Sequence, residues 1–228
     1  GPTFWPFVFG LALLTGGILM QPDAGTAMII AMTLGLMFIV AGARLSQIMS
    51  LIGIGLLGVA LMLTSPYRAQ RLATFLNPGQ AQLGAGYHIN QSLVAIGSGG
   101  LTGLGFGQSV QKYLFLPEVQ TDSIFAVTTE ELGFLRVMLL LAIFSAVIYR
   151  GYSIALRVTD PFARLTAFGI STLLAVQLLV NVGAMLGLVP LTGVTLPLVS
   201  YGGSSLVATL AGLGILLAIS KHVERTNR

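Results

Sequence analysis

Residues 165–190 read LTAFGISTLLAVQLLVNVGAMLGLVP, and none of them carries a charge. The uncharged stretch continues past Pro190, Pro197 and the Gly202-Gly203 pair to Ser220, so 56 residues lie between Arg164 and Lys221 without an Asp, Glu, Lys or Arg. About 20 apolar residues suffice for a helix to cross the hydrocarbon of a bilayer, and this stretch holds two such helices joined by a short polar turn. The rest of the chain has the same character: of 228 residues 8% are charged and 55% hydrophobic, with a mean hydropathy of +0.91. Soluble domains carry roughly 25% charged residues, so a soluble globular enzyme is excluded. The net charge is +4, but the Lys and Arg residues come singly and form no basic stripe, which sets nucleic acid aside as a partner. The absence of Cys removes disulfides, thiolate nucleophiles and Cys-ligated zinc.

The sequence predicts an all-α fold, a polytopic membrane helix bundle forming a single membrane domain over residues 1–228. Six transmembrane helices are expected at about 4–20, 25–43, 46–65, 124–149, 165–188 and 198–220, with one long loop over 66–122. In the fourth span only Val137 to Tyr149 is free of charge. At 1.5 Å per residue those residues cover about 20 Å of a core roughly 30 Å thick, so its outer half must include Ile124 to Arg136. Six crossings put both termini on one side. That side collects Arg44, Arg150, Arg157, Arg164, Lys221, Arg225 and Arg228 against Asp160 and Glu224. The other has Arg68, Arg71 and Lys112 against Asp23, Glu118, Asp122, Glu130 and Glu131. The excess of cations marks the first side as cytoplasmic. The loop then faces outward, and it far exceeds the usual connection of about four to six residues. Its aromatic residues and its Leu93-Val94-Ala95-Ile96 cluster argue against disorder. Six glycines fall between Gly97 and Gly107, without the spacing or the Lys-Ser/Thr ending of a phosphate loop. They predict a hinge or re-entrant turn packed on helices.

Charges near lipid are expensive, so those at membrane depth are candidates for function. Asp23, at the outer end of the second span, reads equally as an N-cap and as a functional carboxylate. Glu130, Glu131 and Arg136 lie inside the fourth span; the spacing is poor for an internal ion pair, which points to structural partners on neighbouring helices. His88 and His222 are isolated and read as solvated. The run Ser200-Tyr201-Gly202-Gly203-Ser204-Ser205 suits close helix approach and lacks a base that would activate a serine. Glu118 and Asp122 are different, two carboxylates four residues apart where the loop meets the membrane. A carboxylate there can take a proton from an attacking hydroxyl or ligate a divalent cation, and Asp122 can equally be the N-cap of the fourth span. Arg68, Arg71 and Lys112 can neutralise a phosphate or serve as interface anchors.

Several motifs occur in order along the chain: Gln21-Pro22-Asp23-x-Gly25-Thr26, Tyr67-Arg68-x-x-Arg71-Leu72 ahead of Phe75-Leu76-Asn77-Pro78, and Gly86-Tyr87 leading to Gln91-Ser92. They continue with Ala95-Ile96-Gly97-Ser98-Gly99-Gly100, Leu116-Pro117-Glu118 with Thr121-Asp122, Glu130-Glu131-Leu132-Gly133, and Pro197 to Ser205. Together they resemble the SEDS family of shape, elongation, division and sporulation proteins. The Gly107 to Lys112 run looks more like its FtsW and sporulation branch than its RodA branch. Gln120 and Ser123 stand where the family usually has His and Phe, and Thr192 where many FtsW proteins have Lys. By this resemblance the chain corresponds to the last six of ten helices, and Gly1-Pro2 matches what a cleaved tag leaves.

The resemblance implies a peptidoglycan glycosyltransferase that polymerises lipid II at the outer face of the bacterial cytoplasmic membrane, for the division septum. Asp122 matches the family's proposed catalytic aspartate. Arg68, Arg71, Lys112, Glu118 and Asp23 would bind substrate. A divalent cation such as Mg²⁺ or Mn²⁺ on Asp122 and Glu118 is a further source of positive charge. The implied partners are lipid II, a class B penicillin-binding protein, other divisome proteins and membrane lipid. A lipid II flippase, a RodA-type elongation polymerase and a scaffold for a transpeptidase are the alternative readings.

Overall fold

A computed structural model describes residues 3–21, 23–62, 64–76, 85–114 and 116–226. Pro22 beside Asp23, the Asn77-Pro78 pair, Gln82 and the termini lie outside them, as do the side chains of Tyr67, Arg68 and His222. The described residues form helices joined by turns, with no strand: α1 (Phe4–Leu19), α2 (Ala24–Val40), α3 (Leu45–Met62), α4 (Pro66–Leu76), α5 (Ala85–Ser98), α6 (Gln111–Leu114), α7 (Ile124–Arg157), α8 (Pro161–Met185) and α9 (Gly203–Thr226). Three of these, α7, α8 and α9, are long and apolar enough to cross a membrane, and α1, α2 and α3 are shorter apolar helices.

The ends of these helices follow their caps. Asp23 Oδ1 accepts from the Thr26 amide at 2.9 Å, so the capping role of Asp23 is realised. Asp160 Oδ2 accepts from the Ala163 amide at 2.7 Å with Pro161 at the first helical position, which starts α8 earlier than its apolar run. At its other end Gly187 adopts φ +68, the left-handed turn that closes a helix. Helix α9 begins at Gly203, five residues later than expected from hydropathy, because residues 198–202 form a turn.

The chain divides into two compact units. The first comprises Gly1–Met62, Val147–Val176 and Val207–Arg228. Its helices approach through small residues: a Cβ on Gly151 would stand 2.1 Å from Ser171 Oγ, and one on Gly169 would stand 2.5 Å from Met37 Sδ. Phe7 stacks on Phe38 at 4.3 Å, and Ala155, Ala167 and Leu216 form a buried cluster.

The second unit comprises Leu63–Ala146 and Gln177–Leu206 and contains the whole long loop. Its organising feature is a break in α7 at Gly133, which has φ 77 and ψ 172. In an unbroken helix the amides of Phe134 and Leu135 would donate to the carbonyls of Glu130 and Glu131. Here they donate instead to Gly100 O at 2.9 Å and Leu101 O at 3.2 Å, while Glu130 O and Glu131 O accept from Leu104 N at 3.0 Å and Gly105 N at 3.1 Å. The glycine-rich loop is thus spliced into the helix, and these four backbone groups all find partners, as a low-dielectric setting demands. Glycine is required on both sides: a Cβ on Gly103 would lie 2.2 Å from Glu131 O, and one on Gly133 would lie 2.2 Å from Gly103 N. The turn expected over residues 97–107 therefore packs on α7, backbone against backbone.

Candidate active site

Residues 117–123 lead into α7 as a tight turn, and its geometry decides what the acidic residues within it can do. Glu118 sits at φ 49, a left-handed conformation uncommon for a residue with a side chain. That conformation lets Glu118 O accept from Thr121 N at 3.2 Å and Ser123 N at 3.3 Å. The turn is then clamped from a second segment far along the chain. Tyr201 N donates to Gln120 O at 2.7 Å. Ser200 Oγ donates to Thr121 O, and Asn181 Nδ2 donates to Asp122 O at 2.9 Å while also reaching Val194 O at 2.7 Å. Three consecutive carbonyls are held in this way. The clamping segment carries its own left-handed residue, Leu198 at φ 63, in a turn closed by Ser200 Oγ on the Leu196 amide at 2.7 Å.

Asp122 is 8% exposed. The first-turn amides of Ala126 and Val127 bond to Ser123 O, and among the described residues the Asp122 carboxylate takes no bond from them. The capping alternative is therefore not realised. The side-chain contact given to the carboxylate is Thr121 Oγ1, 3.3 Å from Asp122 Oδ1 and 3.1 Å from Glu118 Oε2. One hydroxyl proton cannot serve both carboxylates at once. Burial pushes the Asp122 pKa above the usual carboxylate range; His88, its own backbone amide and Thr121 oppose that rise.

His88, expected to be solvated, is 9% exposed. It projects from α5 with Nε2 2.6 Å from Ser123 Oγ. Burial lowers its pKa, with Arg71 acting in the same direction and Asp122 and Glu118 opposing. Arg71, on α4, donates to Leu191 O at 3.2 Å. An open groove of about 400 Å³ adjoins the turn, lined by Gln120 and Ile124 on one side and by Leu198 to Gly203 and Leu206 on the other.

The other sequence candidates fall elsewhere. Lys112 Nζ is 2.6 Å from Glu131 Oε1. Glu130 accepts from Ser109 Oγ and from the Val110 amide at 3.1 Å. These two glutamates do have structural partners, Glu130 in the loop at Ser109 and Val110 and Glu131 at Lys112 on the short helix α6, because the splice brings that segment onto the break. Arg136 donates to Thr102 O at 2.8 Å and Leu132 O at 3.4 Å, bridging the splice. Asp23 belongs to the first unit, as the cap of α2. The serine run does not serve helix approach at Ser200, whose hydroxyl fixes the acidic turn. Sequence reasoning missed Asn181, Ser123 and Ser200 as parts of the site. Buried Asn in an otherwise apolar span was the one available signal, since such a group must find partners.

The family described as Cell cycle protein, which joins FtsW, RodA and SpoVE, matches residues 2–225. The stage V sporulation protein E of Bacillus subtilis is 48% identical over 206 residues, covering 90% of this chain and 56% of that protein. A probable peptidoglycan glycosyltransferase FtsW of Thiomicrospira cyclica is 43% identical over 220 residues, covering 95% of this chain and 56% of that protein. A solved chain from work on the coordination of polymerization and crosslinking by a peptidoglycan synthase complex superposes with a TM-score of 0.74 at 31% identity, covering 95% of this chain and 61% of that one. The chain spans just over half the length of these relatives.

Proposed function

The chain belongs to the family of FtsW, RodA and SpoVE cell cycle proteins, the SEDS family, and from that premise we propose that it carries the polymerising site of a peptidoglycan glycosyltransferase. The substrate is lipid II, and the FtsW and SpoVE relatives favour septal synthesis over elongation. The observation that supports this reading best is Asp122: a buried carboxylate with a raised pKa, on a turn clamped through its backbone, with one shared hydroxyl as its side-chain hydrogen-bond partner among the described residues.

In the reaction, a sugar 4-hydroxyl attacks the anomeric carbon of a glycan whose leaving group is an undecaprenyl pyrophosphate. The oxygen–carbon bond forms, the bond to pyrophosphate breaks, and Asp122 takes the hydroxyl proton as general base. A raised pKa suits that role, because a base must hold the proton it receives. Arg71 and Arg68 on α4 offer positive charge to the departing pyrophosphate. Lys112 lies on Glu131 and is the weaker candidate of the three. A Mg²⁺ or Mn²⁺, if bound, would be held by Glu118 and Asp122, whose carboxylates both reach Thr121 Oγ1, and would supply positive charge to the leaving group.

The protein is an integral membrane protein. In the proposed arrangement it lies in the cytoplasmic membrane with both termini inside and the long loop outside, beside a class B penicillin-binding protein that crosslinks the strands. Cysteines placed singly at Phe106 and Lys221 of this Cys-free chain test the orientation. An impermeant reagent on intact cells should label the first alone, and the reverse pattern overturns it. The activity is tested by adding purified lipid II to the full-length protein. Glycan strands are expected, and their absence with intact, folded protein removes the enzyme reading in favour of a flippase or a scaffold.

A further inference from the structure

The hydroxyl of Ser123 has one proton, and it donates to Pro117 O at 2.7 Å. Its contact with His88 Nε2 at 2.6 Å must then run the other way, with the ring nitrogen donating and the hydroxyl accepting. The two bonds coexist when the His88 proton is on Nε2. Ser123 is fully buried, so neither bond has water as a ready substitute, and the loss of either leaves a polar atom stranded. The chain of contacts runs from α5 through His88 and Ser123 to the carbonyl of Pro117, which opens the turn that presents Asp122. The opposite flank of that turn is held by Asn181, Ser200 and Tyr201.

We propose that His88 is a positioning residue for the glycosyl transfer: through its Nε2 bond to Ser123 Oγ it fixes the flank of the turn from which the Asp122 carboxylate meets the attacking hydroxyl. The proposal rests on the reading of Asp122 as the general base and adds to it a residue from another helix, 35 positions away from its partner Ser123. Burial and the nearby Arg71 both favour the neutral ring. A neutral ring carries a single N–H, and the Ser123 geometry assigns it to Nε2. Ser92 Oγ donates to the His88 carbonyl at 2.9 Å within α5, so the helix that presents the ring is itself braced at that turn.

The test uses the full-length protein and lipid II, with kcat and KM measured for wild type, His88→Leu, His88→Gln, Ser123→Ala and the double variant His88→Leu with Ser123→Ala. Gln places an N–H near the position of Nε2, whereas Leu keeps bulk without a donor. The expected result is a fall in kcat of up to about 10²-fold for His88→Leu, the scale of a misplaced catalytic group, with KM little changed. His88→Gln should recover most of that loss. The double variant should be no slower than Ser123→Ala, since that change already removes the His88 bond together with the bond to Pro117 O. Wild-type kcat in His88→Leu, a Gln variant as slow as the Leu one, or additive losses in the double variant each overturn the proposal. Where His88→Leu fails to fold, Ser123→Ala and His88→Gln decide together: a wild-type kcat in Ser123→Ala overturns the proposal, and a slowed Ser123→Ala beside a near wild-type His88→Gln supports it. A wild type that makes no polymer sinks the glycosyltransferase reading together with this one, whereas an active wild type with indifferent variants sinks this one alone.

Discussion

Two regions of the second unit gather carboxylates onto a strained backbone, and they treat those carboxylates in opposite ways. At the helix break, Glu130 and Glu131 are met by the Ser109 hydroxyl, the backbone amides of Ser109 to Gln111 and the Lys112 ammonium. At the acidic turn, the backbone is clamped by Asn181, Ser200 and Tyr201 while the Asp122 carboxylate shares one hydroxyl with Glu118. A buried carboxylate surrounded by donors serves as a structural joint. The other is held by its main chain, and among the described residues its side chain meets one hydroxyl that it shares with Glu118, the arrangement that the proposed base role would use. The difference lies in the partners, since both regions carry closely spaced acids and both rely on left-handed backbone.

The largest effect should come from Asp122→Asn. Asparagine keeps the size and loses the basic oxygen, so polymerisation should drop by about 10²- to 10⁴-fold, read as strand synthesis from lipid II. Near-normal synthesis would transfer the base to another carboxylate and erase the contrast between the two regions. The same substitution should raise the melting temperature at neutral pH. The sign follows from the raised pKa of Asp122: the side chain is neutral in both states below about 3.9, and stability falls as pH rises through the higher folded value. At neutral pH the full cost of the buried charge is present, and Asn removes it.

Gly133→Ala attacks the other region. With φ 77 and ψ 172 and a Cβ only 2.2 Å from Gly103 N, the substitution carries a backbone strain of about 1–3 kcal/mol before the overlap is counted. Loss of folded protein on size exclusion is expected, and a normally folded variant would show that the splice is not required. Glu130→Ala leaves Ser109 Oγ and the Val110 amide without their acceptor and should cost about 1–3 kcal/mol of stability, read by thermal unfolding. Per folded molecule its rate of polymerisation should stay near wild type, which is the sharpest form of the contrast. A rate loss as large as that of Asp122→Asn would make the splice part of the chemistry.

Smaller effects remain at the acidic turn. The rate should fall on acidification with a midpoint above that of an ordinary aspartate, because Asp122 must be ionised to act and burial raises its pKa. A profile centred near 3.9 would place the base on an exposed carboxylate. Glu118→Gln keeps an acceptor for Thr121 and removes charge from an exposed position, so it should change the rate least. A loss equal to that of Asp122→Asn would instead indicate a cation shared by the two carboxylates.

Much of this was readable from the residues. The apolar runs around Leu165 to Ser220 announce membrane helices, and the charges placed inside the fourth span at Glu130, Glu131 and Arg136 mark it as abnormal. The acidic pair Glu118 and Asp122 stands out against a nearly uncharged chain. His88 was misread because burial depends on what packs over a residue, and an isolated histidine in a loop gives no sign of Ser123. Ser200 was read as a helix-packing serine because its partner, the Thr121 carbonyl, is 79 residues away.

The sequence by itself determined that this chain is a helical membrane protein, where several of its helices begin and end, and which carboxylates deserve chemical scrutiny. These follow from composition, apolar run length and caps such as Asp23 and Asp160, all of which act within a few residues. The tertiary structure alone decided that Glu130 and Glu131 take structural partners from the loop and α6, and that the turn carrying Asp122 is clamped through its carbonyls. That decision depends on backbone donors brought in from residues 104–111 and on clamps from residues 181–201. Hydrogen bonds act over about 3 Å in space, and no local pattern states which distant donor will arrive there.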